Sequence, residues 1–302
     1  VSNVKILEPT HQRKNFLLSL SGFAHLVHDG FTDTLFILLP IWANAFGLAY
    51  AEVGALKMIM SSVLSSFQMP AGILSEKYGE RGILAFGTIV AALGFILLCF
   101  VSNFVGLALC LAMIGLGAST QHPLASTLVS KNFFENKRSA LGIYNFSGDM
   151  GKVIFPMSVS AISATFSWIT GTFVVGLVGV TAGVVIYFGL YHIGLGGVEK
   201  KQKKINIDKI KGWAITDITG FSCLSAISMI DTSVRLGFLT YLPFLLIEKG
   251  AELGAIGFAL TLVFAGGAVG KLVCGVAAER FGIIKTMALT EMATAVGIFV
   301  LI

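Results

Sequence analysis

From about residue 16 onward, apolar residues run in long stretches separated by short polar turns. A helix needs ~20 predominantly apolar residues to cross the hydrocarbon core of a bilayer. The pattern predicts nine spans, near 16–46, 53–75, 82–101, 104–129, 139–164, 168–192, 213–247, 254–278 and 284–302. Residues 1–14 are polar and lead directly into the first apolar stretch. That stretch is longer than a signal-peptide core and has no clear cleavage site. The chain opens on Val1, so the natural start is expected to lie upstream.

Composition narrows the class. Of 302 residues, 55% are hydrophobic and 12% charged, against ~25% charged in an ordinary soluble domain. The mean hydropathy is +0.86. These values exclude a disordered chain, a collagen, a coiled coil and a soluble enzyme, which could not hide so much apolar surface. What remains is an all-α fold, a polytopic bundle of membrane helices. Cys99, Cys110, Cys223 and Cys274 lie in apolar stretches with no metal or redox spacing, and read as packing residues.

The formal net charge is +5, and its placement matters more than its size. Sixteen of the 21 Lys and Arg lie at the N-terminus or in every second loop, and only Lys249 lies in a loop on the other side. Positive residues stay inside, so the N-terminus and the 193–212 loop are expected in the cytoplasm. The run EKKQKK at 199–204 is a topology signal and a solvated linker, and nothing here asks for nucleic acid.

The chain repeats itself at an offset of 203 residues. Leu39-Pro40 returns as Leu242-Pro243, Gly47 as Gly250, and Gly54 as Gly257. The stretch GILSEKYG at 72–79 returns as GVAAERFG at 275–282. Two related helical halves joined by a basic loop is the plan of many secondary transporters. This gives a six-helix bundle over 1–192, a linker over 193–212 and three helices over 213–302. If the halves are equivalent, the chain is expected to hold about nine of twelve helices.

The stretch Gly72-Ile-Leu-Ser-Glu76-Lys77-Tyr-Gly79-Glu-Arg81 resembles the cytoplasmic loop motif of the major facilitator superfamily, and Gly275 to Gly282, with Glu279 and Arg280, resembles its second copy. Glu76 and Glu279 stand where Asp is commoner, and Glu80 where a basic residue is usual. A narrower resemblance rests on His25-Leu-Val-His28-Asp29 before Leu39-Pro40 and Phe46-Gly47, on Gly115-Leu-Gly117 before His122-Pro123, and on Lys137-Arg138 before Gly142, Gly148, Gly151 and Pro156. That order is similar to the fosmidomycin-resistance-like branch of drug exporters, although Asp149 and Lys152 break its neutral helix 5. The resemblance implies an inner-membrane carrier, monomeric, that moves a small molecule by alternating access. In the loop motif, Glu76 with Arg81 or with a neighbouring helix end is expected to latch the cytoplasmic face.

Ionisable residues inside spans each cost ~2.5–3.5 kcal/mol at a helix centre on insertion scales, so they mark candidate sites. On span 1, His25, His28, Asp29 and Asp33 fall within an arc of about 140° at about 100° per residue. They read either as a proton-accepting stripe or as a hydrogen-bond cluster pinning the helix. Asp29 ranks first as the proton acceptor, because no opposite charge lies at i±3 or i±4. The His25-x-x-His28 spacing suits a metal, but no third ligand is specified, and neither metal nor cofactor is expected. On span 4, His122-Pro123 predicts a kink with free carbonyls. On span 5, Asn145, Gly148, Asp149, Lys152 and Pro156 share a face, with Asp149 and Lys152 spaced to pair. On span 7, Asp231 and Arg235 are spaced to pair, and the offset maps them onto His28 and Thr32. Lys271 is expected to snorkel toward the cytoplasm.

These residues support a secondary transporter, with protons as coupling ion because no phosphate loop occurs. Export of drug-like or toxic metabolites leads through the resemblance. Uptake of an organic anion on Lys152 and Arg235 follows. A non-transporting sensor on a carrier scaffold is a third reading, and no enzymatic nucleophile–base pair is seen.

Overall fold

The computed structural model describes residues 11–198 and 217–301. The basic run at 199–204 and the start of the seventh predicted span lie outside these residues. Among the described residues ten α-helices follow one another: α1 (His11–Phe46), α2 (Tyr50–Tyr78), α3 (Glu80–Leu97), α4 (Phe104–Ala118), α5 (Gln121–Asn132), α6 (Lys137–Thr165), α7 (Trp168–His192), α8 (Ile218–Glu248), α9 (Leu253–Phe281) and α10 (Ile283–Leu301). The fourth predicted span is interrupted near the kink that Pro123 predicts. It is two helices, α4 and α5, stacked end to end across Ser119-Thr120. Pro123 has no N–H for a bond to the preceding turn, so the ladder breaks there.

Among the described residues, seven rods are long and apolar enough to cross a membrane. The two long helices missing from that set are α1 and α6, which hold most of the buried charge. They pack along each other through small residues. A Cβ at Gly151 would collide with the carbonyl of Leu26, and one at Gly30 with the ring of Phe155. Their polar faces thus turn to each other and to the interior, which is how a membrane bundle tolerates them.

The repeat is visible in the backbone. α2 and α9 each have 29 residues and begin at Tyr50 and Leu253, one offset apart. Gly47 and Gly250 both have positive φ, as do Gly79 and Gly282. A large apolar core gathers around Phe31, Leu35 to Leu39 and Trp42 of α1 and reaches Leu239, Leu242, Ile256 and Leu260 of the second half.

The two halves meet most closely at the end bearing the 47–49 and 249–252 turns. There Tyr241 Oη donates to the Tyr50 carbonyl at 3.0 Å, Tyr50 Oη donates to Glu248 at 3.0 Å, and Ser160 Oγ donates to the Leu253 carbonyl at 2.7 Å. At the opposite end the first half of α8 is mostly exposed, and a Cβ at Gly266, Gly270 or Gly275 would meet nothing among the described residues.

Candidate functional site

A cavity of about 1000 Å³ lies between the halves. α1 lends it His28, Asp29 and Asp33, α2 lends Lys57, α5 lends His122, and α6 lends Asp149 and Lys152. From the second half come Asp231 and Arg235 of α8, Lys271 of α9 and Glu291 of α10. Two predicted residues fall elsewhere. His25 sits behind Asp29, and Asn145 is exposed and off the cavity wall.

Asp29 is not the unpaired acid that its helix suggests. Its Oδ1 lies 2.9 Å from His28 Nδ1 and 3.4 Å from His25 Nε2, and its Oδ2 lies 3.2 Å from Lys152 Nζ. The missing partner comes from α6, beyond the reach of an i±4 rule. The outer nitrogens are also bonded: His25 Nδ1 to the Tyr144 carbonyl at 2.9 Å and His28 Nε2 to the Ala118 carbonyl at 3.1 Å. Ala118 is the last residue of α4, so the helix break supplies that acceptor. His122 stands against both rings, 5.3 Å from His25 and 4.7 Å from His28 between centroids.

Asp149 is shared in a way its spacing does not suggest. Lys152 lies 3.6 Å away, but Lys271 Nζ donates to its two oxygens at 2.6 and 2.7 Å. Lys271 therefore does not snorkel. Its long stem crosses to α6, where a buried carboxylate offers more than the interface does. Asp29, Lys152, Asp149 and Lys271 form an alternating row of charge from α1 to α9. Such alternation offsets the cost of holding each ion away from water.

Asp33 is partly buried and has no hydrogen bond or ion pair among the described residues. Lys57, a residue whose place in a span had no role assigned, is buried nearby. Its ammonium lies 3.5 Å from the Thr32 carbonyl and 4.4 Å from the Phe36 ring centroid. A lysine inside an apolar stretch was the signal for it. Asp231 and Arg235 share the cavity wall but make no ion pair among the described residues. Arg235 is exposed, so its guanidinium is free to reach into the cavity.

The loop motif is built differently from expectation. Gly72, Glu76 and Lys77 close α2, and Glu76 is exposed with no ion pair among the described residues. Arg81 turns away from it, its guanidinium 5.4 and 5.0 Å from the centroids of Tyr187 and Tyr191. The inter-helix pair at this end is Glu80 with Lys131, at 2.8 Å. Glu80 is buried at the start of α3 and faces α5, whereas Glu76 faces outward. In the second copy Glu279 and Arg280 are exposed, and Arg280 lies against Phe281.

A bundle of apolar helices around a charged cavity, built from two repeat-related halves, defines an integral multi-pass membrane protein with a carrier fold. Residues 21–302 match the family model described as Major Facilitator Superfamily, and the chain belongs to that family. It is 20% identical over 255 residues to an uncharacterized MFS-type transporter of Methanocaldococcus jannaschii, covering 83% of this chain and 64% of the relative. It is 23% identical over 158 residues to the fosmidomycin resistance protein of Escherichia coli, covering 52% and 39%. It is 24% identical over 246 residues to the "Probable L-galactonate transporter" of Escherichia coli, covering 76% and 53%. The chain thus spans less than two thirds of the length of these relatives. Among solved structures, a bacterial homolog of the human lysosomal transporter Spinster, inward-facing and occupied, superposes with a TM-score of 0.72. It is 17% identical, and the match covers 89% of this chain and 62% of that one. That likeness is one of fold.

Proposed function

We propose that the protein is a proton-coupled secondary transporter that exports small drug-like or toxic metabolites by rocking its halves about the cavity. The observation that carries this reading is the cavity itself, lined by ionisable residues of both halves, with the halves joined by hydrogen bonds at the end of Tyr50 and Leu253. Loop charge supports a cytoplasmic N-terminus, and the proposed membrane is a bacterial inner membrane. The similarity to the fosmidomycin resistance protein supports export as the direction. A carrier needs one group that changes charge between its two access states. With Asp29 held by a lysine and two histidines, that role passes to Asp33, the cavity acid of α1 that lies near Lys57 and makes no ion pair within 4 Å among the described residues.

The unpaired Arg235 and the similarity to the "Probable L-galactonate transporter" favour a second reading, uptake of an organic anion. Both are tested in proteoliposomes of defined orientation holding the full-length carrier and an internal pH dye. Fosmidomycin and galactonate serve as the two probes. Export predicts proton movement against the fosmidomycin flux, and uptake predicts co-movement with galactonate. In either case Asp33→Asn abolishes gradient-driven accumulation and spares exchange. Gradient-driven transport with unchanged pH dependence in that variant overturns the assignment of Asp33.

A further inference from the structure

Three imidazoles and one carboxylate converge beside the cavity: His25, His28 and Asp29 of α1 and His122 of α5. Donor atoms of His25, Asp29 and His122 all lie within 4.8 Å of one another. His28 stands outside that trio of donors, with its Nδ1 2.9 Å from Asp29 Oδ1, and joins them by a turn of its ring.

The orientation of the rings matters more than their number. The outer nitrogens of His25 and His28 face the carbonyls of Tyr144 and Ala118. A carbonyl only accepts, so each outer nitrogen holds the proton of the neutral ring. The inner nitrogens both lie beside Asp29 Oδ1, His28 Nδ1 within hydrogen-bond distance, so a cation takes the place of the proton in that bond and its binding releases the proton. Metal-ligating histidines are oriented in this way, with the far N–H on a carbonyl or carboxylate. Asp29 is likewise divided. Oδ1 faces the histidines and Oδ2 faces Lys152. A cation at Oδ1 therefore leaves Lys152 in place on the other oxygen. His122 supplies the third imidazole from a separate helix. Its ring has no hydrogen bond or ion pair among the described residues, and it is exposed to the cavity.

We propose that these four residues bind one divalent transition-metal ion of the zinc, cobalt or nickel kind. Three nitrogens and one oxygen suit those ions rather than magnesium or calcium, which take oxygen ligands. Bonds of about 2.0–2.1 Å set tetrahedral donors about 3.3 Å apart. The distances from Asp29 Oδ1 to His28 and His25, 2.9 and 3.4 Å, are already of that size. His122, held by no bond of its own, makes the remaining approach. Gly148 lets α6 cover the site, because a Cβ there would lie 2.7 Å from both Asp29 Oδ2 and His25 Cε1. The proposal concerns ion binding and stands apart from the assignment of Asp33 and from the direction of transport.

The test uses the full-length carrier, freed of any affinity tag and stripped with a chelator. It is titrated with Zn²⁺ by calorimetry and with Co²⁺ by visible absorption. The expected result is one ion per chain, with Co²⁺ bands of a four- or five-coordinate site. His122→Ala should weaken Zn²⁺ binding 10-fold or more, with the metal-free thermal transition unchanged because no hydrogen bond of the ring is lost. His192→Ala, at the end of α7, should leave binding as it was. If His122→Ala fails to fold, His122→Asn takes its place. No saturable binding, or binding unaffected by both the His122 variant and His25→Ala, overturns the proposal.

Discussion

Gly79 and Gly282 stand 203 residues apart and share one backbone, with φ 84° and ψ 148° at the first and φ 88° and ψ 150° at the second. Their surroundings have diverged. At Gly79 the backbone of the 194–198 segment lies so close that a Cβ would be 2.7 Å from the Gly196 carbonyl and 2.8 Å from the carbonyl carbon of Gly197. Arg81 N–H donates to that same Gly196 carbonyl at 2.7 Å, and Glu80 and Arg81 find Lys131 and two tyrosines. At Gly282 a Cβ would meet nothing among the described residues, and the equivalent pair is the exposed Ile283 and Ile284. Two Gly-x-x-x-Gly patches, 179–183 and 266–270, which the offset does not relate, show the same contrast between the halves. Gly179 packs on Phe31 and Ala92 and Gly183 on Ile89, whereas Gly266 and Gly270 meet nothing among the described residues. A repeat preserves what the backbone must do, and each copy's neighbours decide what its side chains do.

The largest effect expected from this comparison is at the turn. Both glycines hold a backbone region that costs other residues about 1–3 kcal/mol. Gly282→Ala should lower stability by roughly that amount. Gly79→Ala should cost about 2 kcal/mol more, since backbone rather than a movable side chain blocks it. Thermal unfolding of both variants in detergent checks the ordering, and equal shifts would break the comparison. Next comes Glu80→Gln, which removes the charge of a buried carboxylate paired with the half-exposed Lys131 and should cost about 1 kcal/mol. Arg81→Lys should cost about 0.5–1 kcal/mol by losing the guanidinium's contact with the rings of Tyr187 and Tyr191. Glu76→Gln should be smallest, within about 0.5 kcal/mol, because an exposed side chain without a partner has little to lose. Should Glu76→Gln exceed Glu80→Gln, the latch belongs to Glu76 after all.

Much of the fold was legible in the pattern of apolar runs and turn glycines. Those features are local, and a membrane helix satisfies its own backbone, so length and hydropathy suffice to place it. The break between α4 and α5 was signalled by Pro123. The charge pairs were less legible, because they depend on which helices touch. Asp149 and Lys152 can be paired by spacing alone, yet the shorter contact to Asp149 comes from Lys271, 122 residues on. Asp29 looks unpaired along α1 and meets its lysine on α6. His122 had no visible connection to the His25-x-x-His28 pair until α5 was packed against α1. Glu80 was read as a departure from a motif, and the packing of α3 on α5 gives it a partner.

The central claim is that the two halves rock about the cavity, closing one end as the other opens. Repeat-related exposed positions at each end report it: Asn44 with Ile247 beside the close-packed end, and Glu76 with Glu279 at the other. In a full-length carrier with its native cysteines replaced, each pair is changed to cysteine and spin-labelled. Its distance distribution is then measured in lipid nanodiscs at pH 8 and at pH 5. The account predicts two populations in each pair, with the Asn44–Ile247 distance growing as the Glu76–Glu279 distance shrinks. Distances that stay fixed across the pH change, or that rise and fall together, would contradict it.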